Sequence, residues 1–285
     1  MSICSSMNFL LNNISNEDLN IINVNISSGM QEEIFLHTKE VELQYIKGRD
    51  NPYYTYTKPE ALKFNVTFAF NDTYTHDDLR KLGRILNIKK FIPLTFIDDS
   101  NDTSSIDKVY EEEIPTEIDI SSESINITRS YYIMLDGDSN LTTNCIQQGY
   151  VTLSFICNSP YSYSQTFNSE VFDLSVNPIY TDIIFYNLSD IELYPEINIV
   201  KIGNGDFSII NLSDNNREFK FTNLINNEVI NVLNEEQIIT TSLINTYRYS
   251  NFNDNYLKLL PYQSNTLRIT GTAQFYFNFQ YKFLV

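Results

Sequence analysis

Residues 149–167, GYVTLSFICNSPYSYSQTF, decide the fold, because a strand pattern ends there in the middle of the chain. Apolar and polar residues alternate through YVTLSFIC, which predicts an antiparallel strand with one buried face. Pro160 then ends the strand, since proline has no amide hydrogen for a ladder bond and holds the preceding residue extended. We therefore predict two β-rich domains, residues 1–167 and 168–285.

The same alternation recurs on both sides of this boundary. It runs through VELQYI (41–46) and LKFNVTFAF (62–70) in the first half and AQFYFNFQYKF (273–283) in the second, and each stretch predicts a strand with one buried face. One segment, THDDLRKLGRILN (75–87), has helical spacing and begins with a capping-box pattern. We predict a mainly β protein with one helix in the first domain and a β-sandwich as the second.

The charge of the chain limits its ligands. Its 285 residues carry a net charge of −17, which disfavours nucleic acid binding because phosphate contacts need clustered Lys and Arg. An acidic surface would instead let DNA pass without sticking. The sequence shows neither a signal-peptide pattern nor an apolar run that could span a membrane, so we expect a soluble protein without membrane contact.

Residues typical of catalytic or metal sites have no supporting pattern. The two histidines lie in the first half without a partner at ligand spacing, and the three cysteines show no CxxC spacing. We therefore predict no enzymatic activity, no cofactor and no structural metal. Carbohydrate binding stays open as an alternative, because β-sandwiches often host sugar sites and aromatic residues are plentiful, although the second half lacks Trp and His.

Charged residues outside the strands are candidates for partner contacts. Residues 98–123, DDSNDTSSIDKVYEEEIPTEIDISSE, are acidic and poor in apolar side chains, which predicts a long exposed excursion. The polar side of the helix is basic and is interpreted either as a solvated face or as a partner-facing patch. The candidate contact residues are Arg80 and Arg84 on the helix and Glu111, Glu112 and Glu113 in the excursion.

The order of these segments resembles the distal tail proteins of tailed bacteriophages, in particular of phages with long non-contractile tails. In the first half the resemblance runs through FLLNNISNEDLNI, YIKGRDNPYYTYTK, LKFNVTF, HDDLRKLGRILN, KKFIPLTFIDDS, YYIMLDG and YVTLSFICNSPYSYS. In the second half it is carried by NLSDIELYPEINI and LPYQSNTLRITGTAQFYFNFQY. The turn at Gly48, Arg49 and Asp50 matches the family pattern, with Asn51 in place of a second glycine.

This resemblance implies a fold and an assembly. The first domain would form a hexameric ring under the tail tube protein, with Gly48, Arg49 and Asp50 among its contact residues, and the second would be a galectin-like β-sandwich that points outward. The ring would also meet the tail-tip or tail-associated lysin hub protein and a receptor-binding protein, at the virion tail tip, after synthesis in the bacterial host cytoplasm.

The sequence also departs from the family pattern. Residues 104–128 would be an acidic insertion, and Ser189 and the turn at 262–264 stand where glycines are expected. The alternatives left open are a baseplate component of a contractile tail or tail-like bacteriocin, and a lectin-like receptor-binding protein.

Overall fold

A computed structural model describes residues 8–24, 36–97, 129–144, 146–176 and 180–284. The chain divides into two compact units, a first unit within residues 8–163 and a second over residues 164–283. The predicted fold class is confirmed: the described residues are mainly β and contain one α-helix. They contain no helix with the length and hydrophobicity of a membrane span.

The first unit is built on one antiparallel sheet. Its elements are β1 (Asn8–Leu11), β2 (Ile14–Ser15), β3 (Ile21–Asn23), β4 (Lys39–Gln44), β5 (Tyr53–Pro59), β6 (Lys63–Phe70), α1 (His76–Leu86), β7 (Ile92–Ile97), β8 (Arg129–Leu135), β9 (Asn140–Thr143), β10 (Gly149–Cys157) and β11 (Ser162–Tyr163). The sheet has the order β2-β1-β7-β8-β10-β6-β3, with β9 paired to β10 and β11 to β8. Strands β4 and β5 pair only with each other in the described structure, as a separate hairpin.

The core of the first unit forms on one face of this sheet. In β10 the alternation predicted from the sequence is confirmed, because Val151, Leu153 and Phe155 are buried while their neighbours are partly exposed. Phe9 stacks on Phe68 with ring centroids 4.7 Å apart, and both side chains are fully buried. Each such phenylalanine contributes about 1.5–3 kcal/mol through burial.

Helix α1 starts with the capping box that the sequence predicts. The amide of Asp78 donates to Thr75 Oγ1 at 3.2 Å, and the amide of Thr75 donates to Asp78 Oδ2 at 2.8 Å. The amide and the hydroxyl of Thr75 both donate to the Asp78 carboxylate, and these two hydrogen bonds lower the pKa of Asp78. Leu82 and Ile85 then bury one side of the helix in the core of the first unit, which fixes its basic side toward solvent.

Cys157, at the end of β10, gives a direct test of this core. The thiol is 2% exposed, and burial raises its pKa from 9.0 to about 12. Since the thiolate is the reactive form, we expect Cys157 to resist alkylation by iodoacetamide at pH 8 in the native protein and to react after denaturation. Peptide mapping by mass spectrometry separates this cysteine from Cys4 and Cys145; rapid native labelling of Cys157 would show that the core is not closed there.

The second unit is a sandwich of two antiparallel sheets. Its elements are β12 (Phe167–Asn168), β13 (Phe172–Asp173), β14 (Thr181–Asn187), β15 (Glu196–Lys201), β16 (Gly205–Asn211), β17 (Arg217–Leu224), β18 (Val229–Leu233), β19 (Ile238–Thr241), the 3₁₀ turn Tyr249–Asn251, β20 (Gln263–Thr270), β21 (Ala273–Phe279) and β22 (Lys282–Phe283). A six-stranded sheet has the order β12-β21-β15-β18-β19, with β13 also on β21. The four-stranded sheet has the order β14-β20-β16-β17.

Aromatic side chains join the two sheets. Phe277 lies edge-on to Phe185 with ring centroids 5.7 Å apart, and Phe275 lies 5.7 Å from Phe207. The prediction that 273–283 presents one buried aromatic face is confirmed, since Phe275, Phe277, Phe279, Tyr281 and Phe283 are all buried. This strand therefore forms the centre of the sandwich core.

Candidate interaction surfaces

The β4–β5 hairpin is exposed over almost its whole length. All six residues of β4 and six of the seven residues of β5 are exposed. Several of its side chains are apolar or aromatic: Val41 is 53% exposed, Tyr54 63% and Tyr56 48%. An isolated two-stranded hairpin is at best marginally stable in water, so a hairpin with this composition is suited to being covered by another surface.

The prediction that VELQYI has a buried face is wrong. Val41, Leu43 and Tyr45 are exposed, because the described part of the chain places no third strand or second layer against the hairpin. A register shift between Glu42 and Leu43 adds a local irregularity that twists the strand. The alternation correctly predicts a strand, but it carries no information on which molecule covers the apolar side.

The loop between β4 and β5 contains Gly48, Arg49 and Asp50. Gly48 has φ +88°, a left-handed conformation that glycine adopts without a steric penalty. The Arg49 amide donates to Ile46 O at 3.2 Å, and its guanidinium lies 4.3 Å from the centroid of the Tyr53 ring. This cation–π contact orders an otherwise open tip and presents a cation there.

Polar side-chain contacts lie within β5 and between β4 and β5. The Tyr54 hydroxyl donates to Thr57 Oγ1 at 2.9 Å. Tyr56 lies opposite Glu42, whose hydrogen bond and negative charge raise the pKa of Tyr56. These contacts orient the side chains of Tyr54 and Tyr56, and both rings stay exposed.

His37 lies at the base of the hairpin, just before β4. It is 7% exposed, and its ring meets the edge of the Tyr161 ring at a centroid distance of 5.9 Å. Burial, and after it the charge of Lys39, lowers the pKa of His37 below 6.5, which favours a neutral imidazole. The histidine therefore packs where the hairpin leaves the body of the unit, a structural position.

The other predicted contact residues lie either on helix α1 or outside the described residues. Arg80 and Arg84 are exposed on the polar side of α1, and no salt bridge joins them to another described residue. No hydrogen bond or ion pair in the described ranges connects them with the hairpin loop. Glu111, Glu112 and Glu113, with the whole of residues 104–128, lie outside the described residues.

In a comparison with known proteins, each half of the chain matches the model of a phage tail domain family. A family model described as a phage tail protein N-terminal domain matches residues 4–114, and one described as a phage tail C-terminal domain matches residues 161–281. The SPbeta prophage-derived uncharacterized protein YomH of Bacillus subtilis (strain 168) is 27% identical over 282 residues, which cover 99% of this chain and 100% of that protein.

A solved structure shares the fold over nearly the whole chain. The Dit (gp 19.1) protein of phage SPP1, described as a paradigm of the hub adsorption apparatus in phages that infect Gram-positive bacteria, aligns with a TM-score of 0.63 and 15% identity. The alignment covers 96% of this chain and 99% of that one. A chain of the phage P2 baseplate in its activated conformation aligns with a TM-score of 0.46 and 8% identity, over 91% of this chain and 90% of that one.

Proposed function

This chain belongs to a family of phage tail proteins, and we propose that it forms the ring at the distal end of the tail. It is a structural protein of the tail. In the proposed assembly six copies close a ring through the first unit, while the second unit faces outward. The ring joins the tail tube protein to the tail-tip or lysin hub protein and provides attachment for a receptor-binding protein, without catalytic activity of its own.

The exposed β4–β5 hairpin is the observation that carries this proposal. Ring subunits meet head to tail through two different surfaces, and a projecting hairpin on each copy is suited to be one of them. The hairpin offers apolar and aromatic side chains such as Val41 and Tyr54 together with open backbone edges. Covering them removes apolar surface from water at about 25 cal/mol per Å², and each closed ring repeats that contact in every subunit.

The acidic character of the chain is consistent with a ring that DNA crosses. With a net charge of −17, the protein offers little clustered positive charge for phosphate binding. The exposed arginines Arg80 and Arg84 are the local exception on α1. We assign them to contacts with acidic protein surfaces of the tail rather than to DNA.

Imaging of the purified full-length protein tests the proposal. Negative-stain electron microscopy and native mass spectrometry are expected to show closed rings of six subunits, either for the protein alone or in its complex with the tail tube protein. A protein that stays monomeric at high concentration and is missing from purified tails would refute it.

The division into domains leads to a separate prediction. The second unit begins at Ser164, a few residues before the boundary predicted after 167. The Ser164 amide donates to Tyr281 O at 2.9 Å, and the Tyr281 amide donates back to Ser164 Oγ at 2.8 Å. Phe167 pairs with Phe279 on β21, with ring centroids 5.9 Å apart.

We therefore expect a fragment of residues 164–285 to fold as a monomeric sandwich with a cooperative melting transition. A fragment of residues 169–285 lacks β12 and these contacts, and we expect it to melt at a clearly lower temperature. Circular dichroism on both fragments measures the difference. Aggregation of the longer fragment that is reversed by adding residues 1–163 would show that the two halves do not fold separately.

A further inference from the structure

A polar cleft lies on the six-stranded sheet of the second unit, where β15 begins and β18 and β21 end. Its volume is about 160 Å³. The residues that matter for its chemistry are Thr166, Tyr194, Glu196, Glu235, Asn278 and Gln280. The cleft therefore brings carboxylate, amide and hydroxyl groups from four separate stretches of the second unit to one place.

The polar surface continues from the cleft across the same face of the sheet. Glu196 on β15 lies opposite Asn278 on β21. Two residues further along β15, on the same face, Asn198 lies opposite Tyr276 on β21 and Asn231 on β18. Side chains in directly opposite positions are about 5 Å apart, so these five residues form one continuous patch.

Hydrogen bonding within the patch is incomplete. Asn231 donates through Nδ2 to Glu196 Oε1 at 2.6 Å, which orients the carboxylate and leaves its second oxygen without a donor among the described residues. The amide must turn its nitrogen toward the carboxylate, so Asn231 Oδ1 is left as a buried acceptor without a partner. Asn278 makes no side-chain hydrogen bond to any described residue. Asn231 does not line the cleft, so the groups there that stay available to a ligand are the second oxygen of Glu196 and the amide of Asn278.

We propose that this cleft binds one ring of a saccharide. A pyranose is comparable in width to the spacing of about 4.8 Å between neighbouring strands, and its adjacent hydroxyls suit acceptors and donors arranged in rows. The Glu196 carboxylate accepts hydrogen bonds from two ring hydroxyls, and the Asn278 amide both donates and accepts. Tyr276 offers an aromatic surface for the apolar side of the ring or of an adjoining unit.

The same groups do not favour a metal ion. The described residues contain no group of three or more His, Cys, Asp or Glu side chains that could hold one. Within the cleft, Glu235 is already paired with Lys282 Nζ, which leaves Glu196 and the exposed Glu236, two carboxylates where a metal site needs at least three ligands. Neutral hydroxyls are the complementary partners for one oriented carboxylate and several amides.

The proposal is independent of the ring assembly, because every residue in it belongs to the second unit. The saccharide could be a free sugar or one unit of a cell-surface polymer. Titration of the full-length protein, followed by saturation-transfer NMR and calorimetry, would use glucose, galactose and N-acetylglucosamine in one arm. The second arm would use purified cell-wall polysaccharide from a Gram-positive bacterium.

Two variants and one control locate the site. Asn278→Ala and Glu196→Gln are expected to weaken binding at least roughly tenfold, since each removes a direct hydrogen bond to the ring. Gln274→Ala is the control: it lies on the same strand and face as Asn278 but outside the cleft, where its side chain donates to Asp173. Melting temperatures of all three variants would confirm that they fold.

The expected result is binding of a monosaccharide in the millimolar range, lost in Asn278→Ala and Glu196→Gln and kept in Gln274→Ala. Binding of the polymer alone with the same pattern of loss also supports the proposal and extends it to Asn198 and Tyr276. Absence of binding in both arms, binding that survives both variants, or binding abolished by a chelator would overturn it.

Discussion

The double variant Val41→Asp/Tyr54→Asp is expected to abolish the ring and leave a folded monomer. Both side chains belong to the exposed hairpin, at 53% and 63% exposure, so the substitutions place carboxylates in water in the monomer. In the proposed ring the same carboxylates would be covered by a neighbour without a partner, which costs several kcal/mol per charge. Since the contact is repeated in every subunit, a loss of this size removes closed rings altogether.

Native mass spectrometry and size-exclusion chromatography with light scattering measure this outcome. Tyr247→Asp is the matched control, because Tyr247 is 82% exposed in the second unit and undergoes the same chemical change away from the hairpin. The control is expected to keep the ring. Persistence of rings in the hairpin variant would rule out the hairpin as the ring contact, and unfolding of the variant would show that Val41 and Tyr54 support the monomer itself.

The parts of the fold that the sequence predicts depend on local patterns. The alternation in β10 and β21, and the Thr75–Asp78 capping box, are decided by residues within a few positions of one another. Interactions between residues this close in sequence are nearly independent of the rest of the chain. These elements were therefore predicted with the right type and the right buried face.

The interaction surfaces depend on distant residues or on other molecules. An alternating stretch such as β4 has one apolar face that is suited to burial. Its six residues do not indicate whether a second sheet of the same chain or another protein packs against that face. In the saccharide cleft, Glu196 and Asn278 are brought together only by the pairing of β15 with β21. Isolated glutamate and asparagine residues carry no motif, so neither could be singled out from the sequence.

The buried pair of Arg248 and Glu228 is another feature without a sequence signal. The guanidinium donates through Nε and one terminal nitrogen to the two oxygens of Glu228, at 2.8 and 2.7 Å. The side chains are 8% and 0% exposed. Thr241 Oγ1 and the amide of Ile225 also donate to this carboxylate, at 2.6 and 3.1 Å. The pair thus ties the segment after β19 to the start of β18.

We expect Arg248→Met to destabilise the second unit by about 3–5 kcal/mol, because it leaves the Glu228 carboxylate buried and without its cation. The melting temperature of that unit should fall on the order of 10 °C. Arg268→Met is the matched control: Arg268 pairs with Asp182 at 2.7 Å, but both side chains are about one-third exposed. Exposed pairs contribute little, so the control should change the melting temperature far less than Arg248→Met does.

A second substitution separates the lost charge pair from lost packing. Glu228→Gln removes the charge, while its oxygen can still accept from the Ile225 amide and its NH2 group can donate to the Thr241 hydroxyl. The double variant Glu228→Gln/Arg248→Met should therefore be more stable than Arg248→Met alone, although it has one substitution more. Equal or lower stability of the double variant would mean that the methylene packing of Arg248, and not its charge, supports the fold.

The pH dependence of Arg248→Met distinguishes the two explanations further. In the native protein burial alone would raise the pKa of Glu228, but the hydrogen bonds from Arg248, Thr241 and Ile225 prevail and lower it below 4.5. A lowered pKa contributes stability that is present above 4.5 and is lost as the pH falls through the folded value. Without Arg248, burial should raise this pKa, so the variant would lose stability as the pH rises. The stability difference between the native protein and Arg248→Met should therefore be smallest in acid and grow toward neutral pH, whereas lost packing would give a difference that does not change with pH.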